Sequence, residues 1–469
     1  MNPPLSQEQK VIHFLNRTSF GPTFKDAQRA ARIGLNAYLD EQLAPDQIAD
    51  AAVEEKVAGL KTMRLNSREL FDLYPPPKVA KERGMPMAGA MNAPRFIIYE
   101  LQQARVLRAV YSQRQLYELM VDFWSNHFNI FAAKGADRWL TTSYDRDTIR
   151  PHALGKFRDL LLATARSPAM LFYLDNWLSV SPNAGMRMPA NARRRGLNEN
   201  YGRELMELHT LGVGGGYTQQ DVREVARCFT GWTLVRPRGD AEYRFEPRLH
   251  DAGAKTVLGT PIPAGGGVED GIKVIDLLAR RPATAKFIAG KLVRRFVADE
   301  PPADLVNRVA DVFRRSDGDI RAVLHAIIDS PEFYSSDAYQ AKVKKPIEFV
   351  ASALRATQAD AKITPQLLRY LARMGEPLFL AQPPTGFSDA GSSWISPDML
   401  LTRMNFAADL VANRLNGARL DPSIFRDTAN FVRLVAPAGL SPTTKTVLAE
   451  AGDTDALALL LAAPEFQRR

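Results

Sequence analysis

The residues best suited to chemistry are concentrated in one stretch, from Leu197 to Trp232. It contains five carboxylates, one histidine, two tyrosines, four closely spaced glycines, the only cysteine of the chain and a tryptophan. Its pattern predicts a helix, a glycine-rich loop and a second helix. Carboxylates, imidazoles and phenols are the groups that bind metal ions or move protons in proteins. The sequence therefore places a candidate site in this stretch without naming a reaction.

Two carboxylates on the first predicted helix, 198–211, are suited to binding a metal ion. Asn198 is a suitable N-cap, and a count of about 100° per residue puts Glu204 and Glu207 on one face. Two carboxylates three residues apart can bind one hard or borderline metal ion. The alternative is a pair of solvated charges that face nearby arginines. Tyr201 lies on the adjacent apolar face, where a phenol could transfer a proton or an electron.

A histidine ligand must come from a second helix. His209 is five residues from Glu204, about 140° around an α-helix, so the two cannot ligate one ion as a helical pair. His127 lies on the apolar stripe of the other helix, close to Trp124 and Asn126. Asn126 would fix the orientation of the ring, as the outer partners of metal-bound histidines do. The alternative is a histidine that is buried and hydrogen-bonded for structural reasons alone.

Substrate contacts are predicted beside this centre and on a later turn. Trp124 and Arg203 flank the predicted ligands. The sequence HDAGAK places His250, Asp251 and Lys255 on a glycine-containing turn, which favours presentation of their side chains to solvent or substrate. The alternative is an Asx turn, in which Asp251 caps its own backbone.

The sequence lacks the features that several other common kinds of site require. The glycines of LGVGGGYT have neither the preceding strand nor the following Lys-Ser/Thr of a phosphate loop, so no nucleotide is expected. The lone Cys228 cannot form an intrachain disulfide or a multi-thiolate zinc site. The net charge is +9, but acidic residues are interspersed among the basic ones, so no nucleic-acid partner is expected.

Helical periodicity dominates the chain. It predicts an all-α fold, with a single large multi-helix domain over 1–469. The segment 232–262 contains TLV, YRF and TVLG separated by turn-forming residues, which predicts a small β-hairpin insertion. Segments 74–93 and 180–196, rich in turn-forming and basic residues, are predicted to be flexible loops.

Two N-terminal helix signals accompany the candidate site. Ser112 followed by Gln115 predicts a capping box at the start of a helix over 112–131. Thr218 followed by Asp221 predicts a second capping box, at the start of the helix that follows the glycine-rich loop.

The sequence also indicates a location. Runs of about 18 uncharged apolar residues are missing, so no transmembrane segment is expected. The start, MNPPLSQEQKVIHFLNRTSFGPT, has no basic region followed by an apolar one, as a secretory signal would. These features predict a soluble cytoplasmic protein. The alternative is the cell envelope, if the true start lies upstream.

Seven motifs carry a family resemblance. They are HFLNRTSFGPT (His13–Thr23), DFWSNHFN (Asp122–Asn129), NENYGRELMELHTLGVGGGYTQQDVREVARCFTGW (Asn198–Trp232), FEPRLHDAGAKTVLG (Phe245–Gly259), KLVRRFVADEP (Lys291–Pro301), VKKPIEFVASALRA (Val343–Ala356) and the terminal LLLAAPEFQRR. Over nearly its whole length, the chain resembles the bacterial family known as domain of unknown function 1800. The resemblance implies one helical architecture and no established activity. Members of that family are often encoded beside a sulfatase-like family, which implies a protein partner of that kind.

The sequence therefore predicts a metal-dependent enzyme, with redox rather than hydrolytic chemistry. Its divalent or transition metal would lie between the helices at 112–131 and 198–211, where aromatic residues favour electron transfer. The predicted metal ligands are His127, Glu204 and Glu207, and the predicted catalytic groups are Tyr201, His209 and Asn126. The competing hypothesis is a non-enzymatic binding or chaperone-like protein that acts on a sulfatase-like partner.

Overall fold

Helices provide most of the regular structure. A computed structural model describes residues 4–85, 93–182, 196–421 and 428–469. In these residues the helices are α1 (Gln7–Thr18), α2 (Phe24–Ile33), α3 (Leu35–Leu43), α4 (Ala51–Ala58), α5 (Ser67–Leu73), α6 (Pro77–Glu82), α7 (Arg95–Tyr111), α8 (Gln115–His127), α9 (Asp137–Ser143), α10 (Phe157–Arg166), α11 (Pro168–Tyr173), α12 (Glu199–Glu204), α13 (Gln219–Cys228), α14 (Val268–Ala279), α15 (Pro282–Phe296), α16 (Ala303–Arg315), α17 (Ile320–Ile328), α18 (Pro346–Ala356), α19 (Pro365–Arg373), α20 (Pro397–Val411), α21 (Thr428–Val435), α22 (Pro442–Ala449), α23 (Asp453–Ala462) and α24 (Pro464–Gln467). The predicted all-α class is confirmed.

The strands are short and pair only in twos within the described chain. They are β1 (Trp232–Val235), β2 (Glu242–Phe245), β3 (Lys255–Val257), β4 (Thr260–Ile262), β5 (Asp360–Ala361) and β6 (Ala418–Arg419). β1 pairs antiparallel with β2, and β3 with β4. The predicted β-insertion is therefore present, as two successive hairpins. The additional pair, β5 with β6, is too short to produce an alternating pattern in the sequence.

Of the two predicted capping boxes, the one at Thr218 is present and the one at Ser112 is not. Thr218 Oγ1 accepts from the Asp221 N–H at 3.2 Å, and Asp221 Oδ2 accepts from the Thr218 N–H at 2.9 Å. This box is confirmed. The box at Ser112 is wrong, because Ser112 ends α7 and its hydroxyl donates to Asp50 at 2.6 Å. Gln115 is itself the first residue of α8.

The segments predicted as loops are only partly described. Within 74–93, residues Pro77–Glu82 form the short helix α6, with a proline in its first turn. Residues 86–92 lie outside the described chain, and so do residues 183–195 of the second segment.

One hydrophobic cluster extends along the chain from Val11 to Phe466. A smaller cluster forms around Leu70, Ile97 and Trp139. Among the residues described, none of the helices is long and apolar enough to cross a membrane.

Two π-helical segments continue α-helices at the centre of the fold. α9 passes into Tyr144–Ile149, and α12 passes into Leu205–Thr210. In a π-helix each backbone N–H donates to the carbonyl oxygen five residues earlier. Such segments are rare in proteins, and those that occur are often found at functional sites. Both segments lie beside residues that the sequence predicts to bind a metal ion or to take part in catalysis.

Candidate functional site

Helix α8 presents two chemically different faces. Trp124 and His127 are buried in the hydrophobic core. Asp122, Ser125 and Asn126 line a polar cavity instead. The spacing explains the division, because residues three and four apart share a face of an α-helix. The two faces lead to two distinct environments.

On the core face, two histidines lie together. The His127 and His209 rings are buried, with centroids 6.2 Å apart. His127 Nε2 lies 3.1 Å from the backbone oxygen of His209. Because a carbonyl oxygen only accepts, Nε2 carries the proton and Nδ1 presents a lone pair. His127 Nδ1 and His209 Nε2 have no hydrogen-bond partner among the described residues.

Both imidazoles are neutral at neutral pH. Burial, followed by the nearby Lys291 ammonium, lowers the pKa of His209 to about 3. The same two causes hold the pKa of His127 well below its ordinary range. Neutral imidazole is the form that binds metals, although a neighbouring ammonium opposes the binding of a cation.

The predicted carboxylate ligands have a separate environment. Glu204 is half-buried, and burial followed by the repulsion of Glu207 raises its pKa. Glu207 accepts a hydrogen bond from the Tyr217 hydroxyl at 3.0 Å. In the described chain, no group of three or more His, Cys, Asp or Glu side chains is placed to hold a metal ion. The metal site on His127, Glu204 and Glu207 stays a prediction.

The angle of about 140° assumed between Glu204 and His209 is wrong. That angle requires an α-helix, and the chain becomes π-helical at Leu205. His209 nevertheless lies away from solvent, against Phe128 at a centroid distance of 5.1 Å.

Three further predicted residues make ordinary structural contacts. Tyr201 packs edge-on against Phe229, and burial raises its pKa far above the ordinary value. The Trp124 indole is fully buried and donates to the Ala153 oxygen at 2.9 Å. Arg203 Nη2 donates to a glutamine on α13 at 2.8 Å.

The HDAGAK residues form a buried cluster. His250, Asp251 and Lys255 are all less than one-tenth exposed. Lys255 Nζ donates to Asp270 Oδ2 at 2.8 Å, and His250 Nε2 lies 3.2 Å from the same oxygen. Asp251 Oδ1 accepts from the Gly253 N–H at 3.0 Å, which is the Asx turn of the structural alternative. Substrate binding by these three residues stays a prediction.

The polar face of α8 borders a cavity of about 40 Å³. Since one water needs roughly 10–15 Å³ on this measure, it has room for about three water-sized groups. Its polar and charged lining residues are Arg105, Asp122, Ser125, Asn126, Asn129, Tyr144, Asp145, Lys345 and Glu376. They come from α7, α8, the first π-helical segment, and the residues before α18 and after α19.

Arg105 organises one side of the cavity. Its guanidinium donates to Asp122 Oδ1 at 2.9 Å, Asp145 Oδ1 at 2.6 Å and Ser125 Oγ at 2.8 Å. It also lies over the Phe379 ring, 4.9 Å from the centroid. Charge-assisted bonds of this kind are strong in a low-dielectric interior. Arg105 engages one oxygen of each carboxylate, which leaves the second oxygen of each for another donor.

Glu376 and Lys345 provide the opposite side. Glu376 Oε2 accepts from the Ile347 N–H at 2.8 Å. Burial, followed by repulsion from Asp122, raises the pKa of Glu376 well above its ordinary value. Lys345 Nζ donates to Asp389 Oδ1 at 2.8 Å. Burial opposes the charge on Lys345, but the attraction of Asp389 and Glu376 outweighs it and raises the pKa of the ammonium.

The two asparagines hold a loop over the cavity. Asn126 donates to the Phe387 oxygen at 2.9 Å and accepts from the Phe387 N–H at 2.7 Å. Asn129 donates to the oxygens of Ala381 and Pro383, at 3.1 and 2.9 Å. The amide of Asn126 therefore orients this loop rather than the ring of His127, which was its predicted role.

The charged lining residues outside α8 escaped the sequence analysis. Arg105, Asp145 and Glu376 belong to separate elements outside the quoted motifs, and Lys345 lies in the motif Val343–Ala356 but was given no role there. One local signal was available: the i, i+3, i+4 spacing of Asp122, Ser125 and Asn126 marks a polar face on a helix whose opposite face is apolar.

The chain is thus a mainly helical protein with a cavity lined by charged residues beside α8. A family model described as "Protein of unknown function (DUF1800)" matches residues 13–468. The chain belongs to this family, as its motifs indicated. Neither a curated protein nor a solved structure matches it. The sulfatase-like partner stays a prediction.

Proposed function

We propose that the protein is an enzyme that catalyses proton transfer on a small polar substrate in the Arg105 cavity. One observation carries this proposal: two carboxyl groups in opposite environments line the same cavity. Asp122 is ion-paired with Arg105, whereas the pKa of Glu376 is raised by burial and by Asp122. Pairs of acids whose environments differ in this way supply the general acid and general base of many enzymes.

The environments assign the roles. Glu376 keeps its proton at neutral pH and donates it as the general acid. Asp122, with its unengaged oxygen, accepts a proton as the general base. Arg105 orients Asp122 and balances its charge, and the loop held by Asn126 excludes water. Burial in a site that excludes water strengthens each of these interactions.

The cavity also defines the substrate class. Its volume of about 40 Å³ admits only a short group. The unengaged oxygens of Asp122 and Asp145 are acceptors, so they select hydroxyl or amino groups as donors. The substrate is therefore a small hydroxylated or amino compound, or the end of a longer one.

A metal-dependent redox reaction is the second candidate function. His127 Nδ1 and His209 Nε2 have no hydrogen-bond partner among the described residues, which favours the binding of a metal ion. The nearby Lys291 ammonium opposes the binding of a cation. Elemental analysis of protein purified without added metal distinguishes the two candidates, because the acid–base reaction needs no metal bound to these histidines.

The acid–base proposal is tested by removing each proton-transfer group in turn. The variants are Glu376→Gln and Asp122→Asn, and Glu55→Gln on the exposed surface of α4 is the matched control. A panel of small hydroxy, amino and hydroxycarbonyl compounds in D₂O is followed by NMR for turnover or deuterium incorporation. We expect both cavity variants to lose at least about a hundredfold in rate, as loss of a general acid or base does. Circular dichroism confirms the fold.

A spectroscopic measurement tests the proton on Glu376 without a substrate. We expect the infrared spectrum at neutral pH to contain the carbonyl stretch of a buried, protonated carboxyl group. The buried Asp137 carboxyl, whose pKa is also raised by burial, contributes to the same region, so the difference between the spectra of the wild type and Glu376→Gln identifies the Glu376 band. That difference should be missing between the wild type and Glu55→Gln. A wild-type minus Glu376→Gln spectrum without this band overturns the proposal, as does turnover that all three variants retain.

A further inference from the structure

A second pocket, separate from the Arg105 cavity, has five arginines among the eleven residues that line it. Its volume is about 400 Å³, within the roughly 300–1,000 Å³ of typical small-molecule sites. It lies between α4, α7, α8 and the end of the first π-helical segment. The arginines that line it are Arg64, Arg108, Arg114, Arg146 and Arg150.

Basic side chains outnumber carboxylates among the residues that line this pocket. Glu54 is the one carboxylate among the lining residues. Two further carboxylates pair with lining arginines: Glu118 engages Arg150 at 2.9 and 2.5 Å, and Asp147 engages Arg146 at 2.7 Å. The lining alone contains five cations and one anion, and Glu118, Asp147, Asp145 and Glu69 offset this charge from outside the lining. An excess of positive charge in a concave site attracts anions.

One of the arginines is free of ion pairs in the described chain. Arg108 is buried, donates to Glu54 at 3.0 and 3.2 Å, and its Nε lies 3.9 Å from Glu118 Oε1. Arg64 is exposed at the rim, and no ion pair engages it in the described chain.

The remaining lining suits an organic group. Val57, Ala58 and Met63 contribute apolar surface, and the Tyr117 ring lies 5.2 Å from the Arg150 guanidinium. A ligand with a charged end and a carbon-containing body would contact both parts. The forked guanidinium matches the paired oxygens of phosphate or sulfate.

We infer that this pocket binds a small organic molecule that carries a phosphate or sulfate group. The anion lies against the arginines, and Arg64 closes over it from the rim. The carbon-containing body lies on Tyr117 and the apolar residues of α4. This inference does not depend on the reaction proposed for the Arg105 cavity.

The test uses pyrophosphate, inorganic phosphate and sulfate as probes. Each is titrated into the full-length protein by calorimetry at constant ionic strength, which keeps nonspecific screening constant. We expect saturable binding of pyrophosphate with one site per chain. Arg64→Gln should weaken it roughly tenfold, which corresponds to about 1.4 kcal/mol, and Arg64→Glu should weaken it further.

Arg315→Gln is the matched control, since Arg315 is an exposed arginine at the end of α16. Because Arg64 and Arg315 are both on the surface, neither substitution should affect folding, and circular dichroism checks this. Unchanged affinity in Arg315→Gln supports the pocket. The inference is overturned if none of the three probes saturates, or if Arg64→Gln and Arg315→Gln weaken binding equally.

Discussion

Burial decides the charge of individual histidines in this protein. His13 is buried, its Nε2 lies 2.7 Å from the Phe333 oxygen, and burial followed by Arg17 lowers its pKa to about 3. His325 lies at the surface beside two aspartates. The lowered pKa of His13 therefore comes from its buried position and not from its residue type.

The first residue-scale prediction concerns acid stability. Between pH 6.5 and about 3, unfolded His13 binds a proton that the folded protein excludes. The free energy of unfolding must therefore fall as the pH falls through this window, by up to about 1.4 kcal/mol per pH unit for each such histidine. In His13→Gln the amide keeps a donor for the Phe333 oxygen, and we expect a shallower pH dependence in urea unfolding.

His325→Gln serves as the control for this measurement. This substitution replaces a histidine at the surface and leaves the core intact, so it measures the effect of a histidine-to-glutamine change outside the core. An identical slope for His13→Gln and wild type would show that His13 accepts its proton in the folded state.

The sequence shows which residue types are present, but it does not show which hydrogen-bond or charged partner each side chain has. Asn126 was singled out from the composition around His127, yet its amide bonds to Phe387. Glu376 attracted no attention, because a single glutamate in a loop carries no pattern. Its unusual pKa comes from burial and from Asp122, 254 positions earlier in the chain.

At the scale of elements, helices α12 and α13 approach each other closely at Gly202. A Cβ at this position would lie 3.0 Å from the Val222 oxygen and 3.1 Å from the Ala226 nitrogen. Both are backbone atoms of α13, so neither can rotate away. The close approach fixes the distance between the two helices that the sequence singled out.

We predict that Gly202→Ala lowers the free energy of unfolding by about 1–3 kcal/mol, the usual cost of overpacking. Helix propensity acts in the opposite direction, because alanine favours a helix by about 1 kcal/mol over glycine. The backbone contact should outweigh this gain. Gly214→Ala is the control, since a Cβ there meets nothing within 4 Å. Urea denaturation in which Gly202→Ala is as stable as Gly214→Ala would contradict the contact.

Periodicity predicted the existence of the helices better than their internal geometry. The pattern from Asn198 correctly gave an N-cap, since the Asn198 side chain accepts from the Asn200 N–H. It could not reveal the change to a π-helix at Leu205, because the extra residue per turn alters hydrogen bonding without a characteristic composition. The angle inferred between Glu204 and His209 therefore failed where the hydrogen bonding changed.

At the scale of the whole molecule, single side chains join distant parts of the sequence. Arg355, on α18, donates to the backbone oxygens of Gly21 and Val110, both at 2.7 Å, and to Asp26 Oδ2 at 2.9 Å. All of these contacts are buried or nearly so. They connect α18 to the start of α2 and the end of α7, and the single domain over 1–469 stays a prediction.

The last prediction tests this connection. Arg355→Met keeps the length of the side chain but removes the charged partner of Asp26, which keeps only the Thr23 hydroxyl as donor, and the donor of two carbonyl oxygens. Loss of one partner of a buried ion pair costs about 3–5 kcal/mol. Arg29→Met is the control, because the Arg29–Glu41 pair is partly exposed and such pairs contribute about 0–1 kcal/mol.

Urea unfolding of these variants is followed by tryptophan fluorescence and by far-ultraviolet circular dichroism. If the chain unfolds as one unit, the two probes report one midpoint, and Arg355→Met shifts both by the same amount. A shift in only one probe would mean that the segments joined by Arg355 unfold separately. The single-domain prediction would then be wrong, because a shared hydrophobic cluster would not be sufficient to make the unfolding of α2, α7 and α18 cooperative.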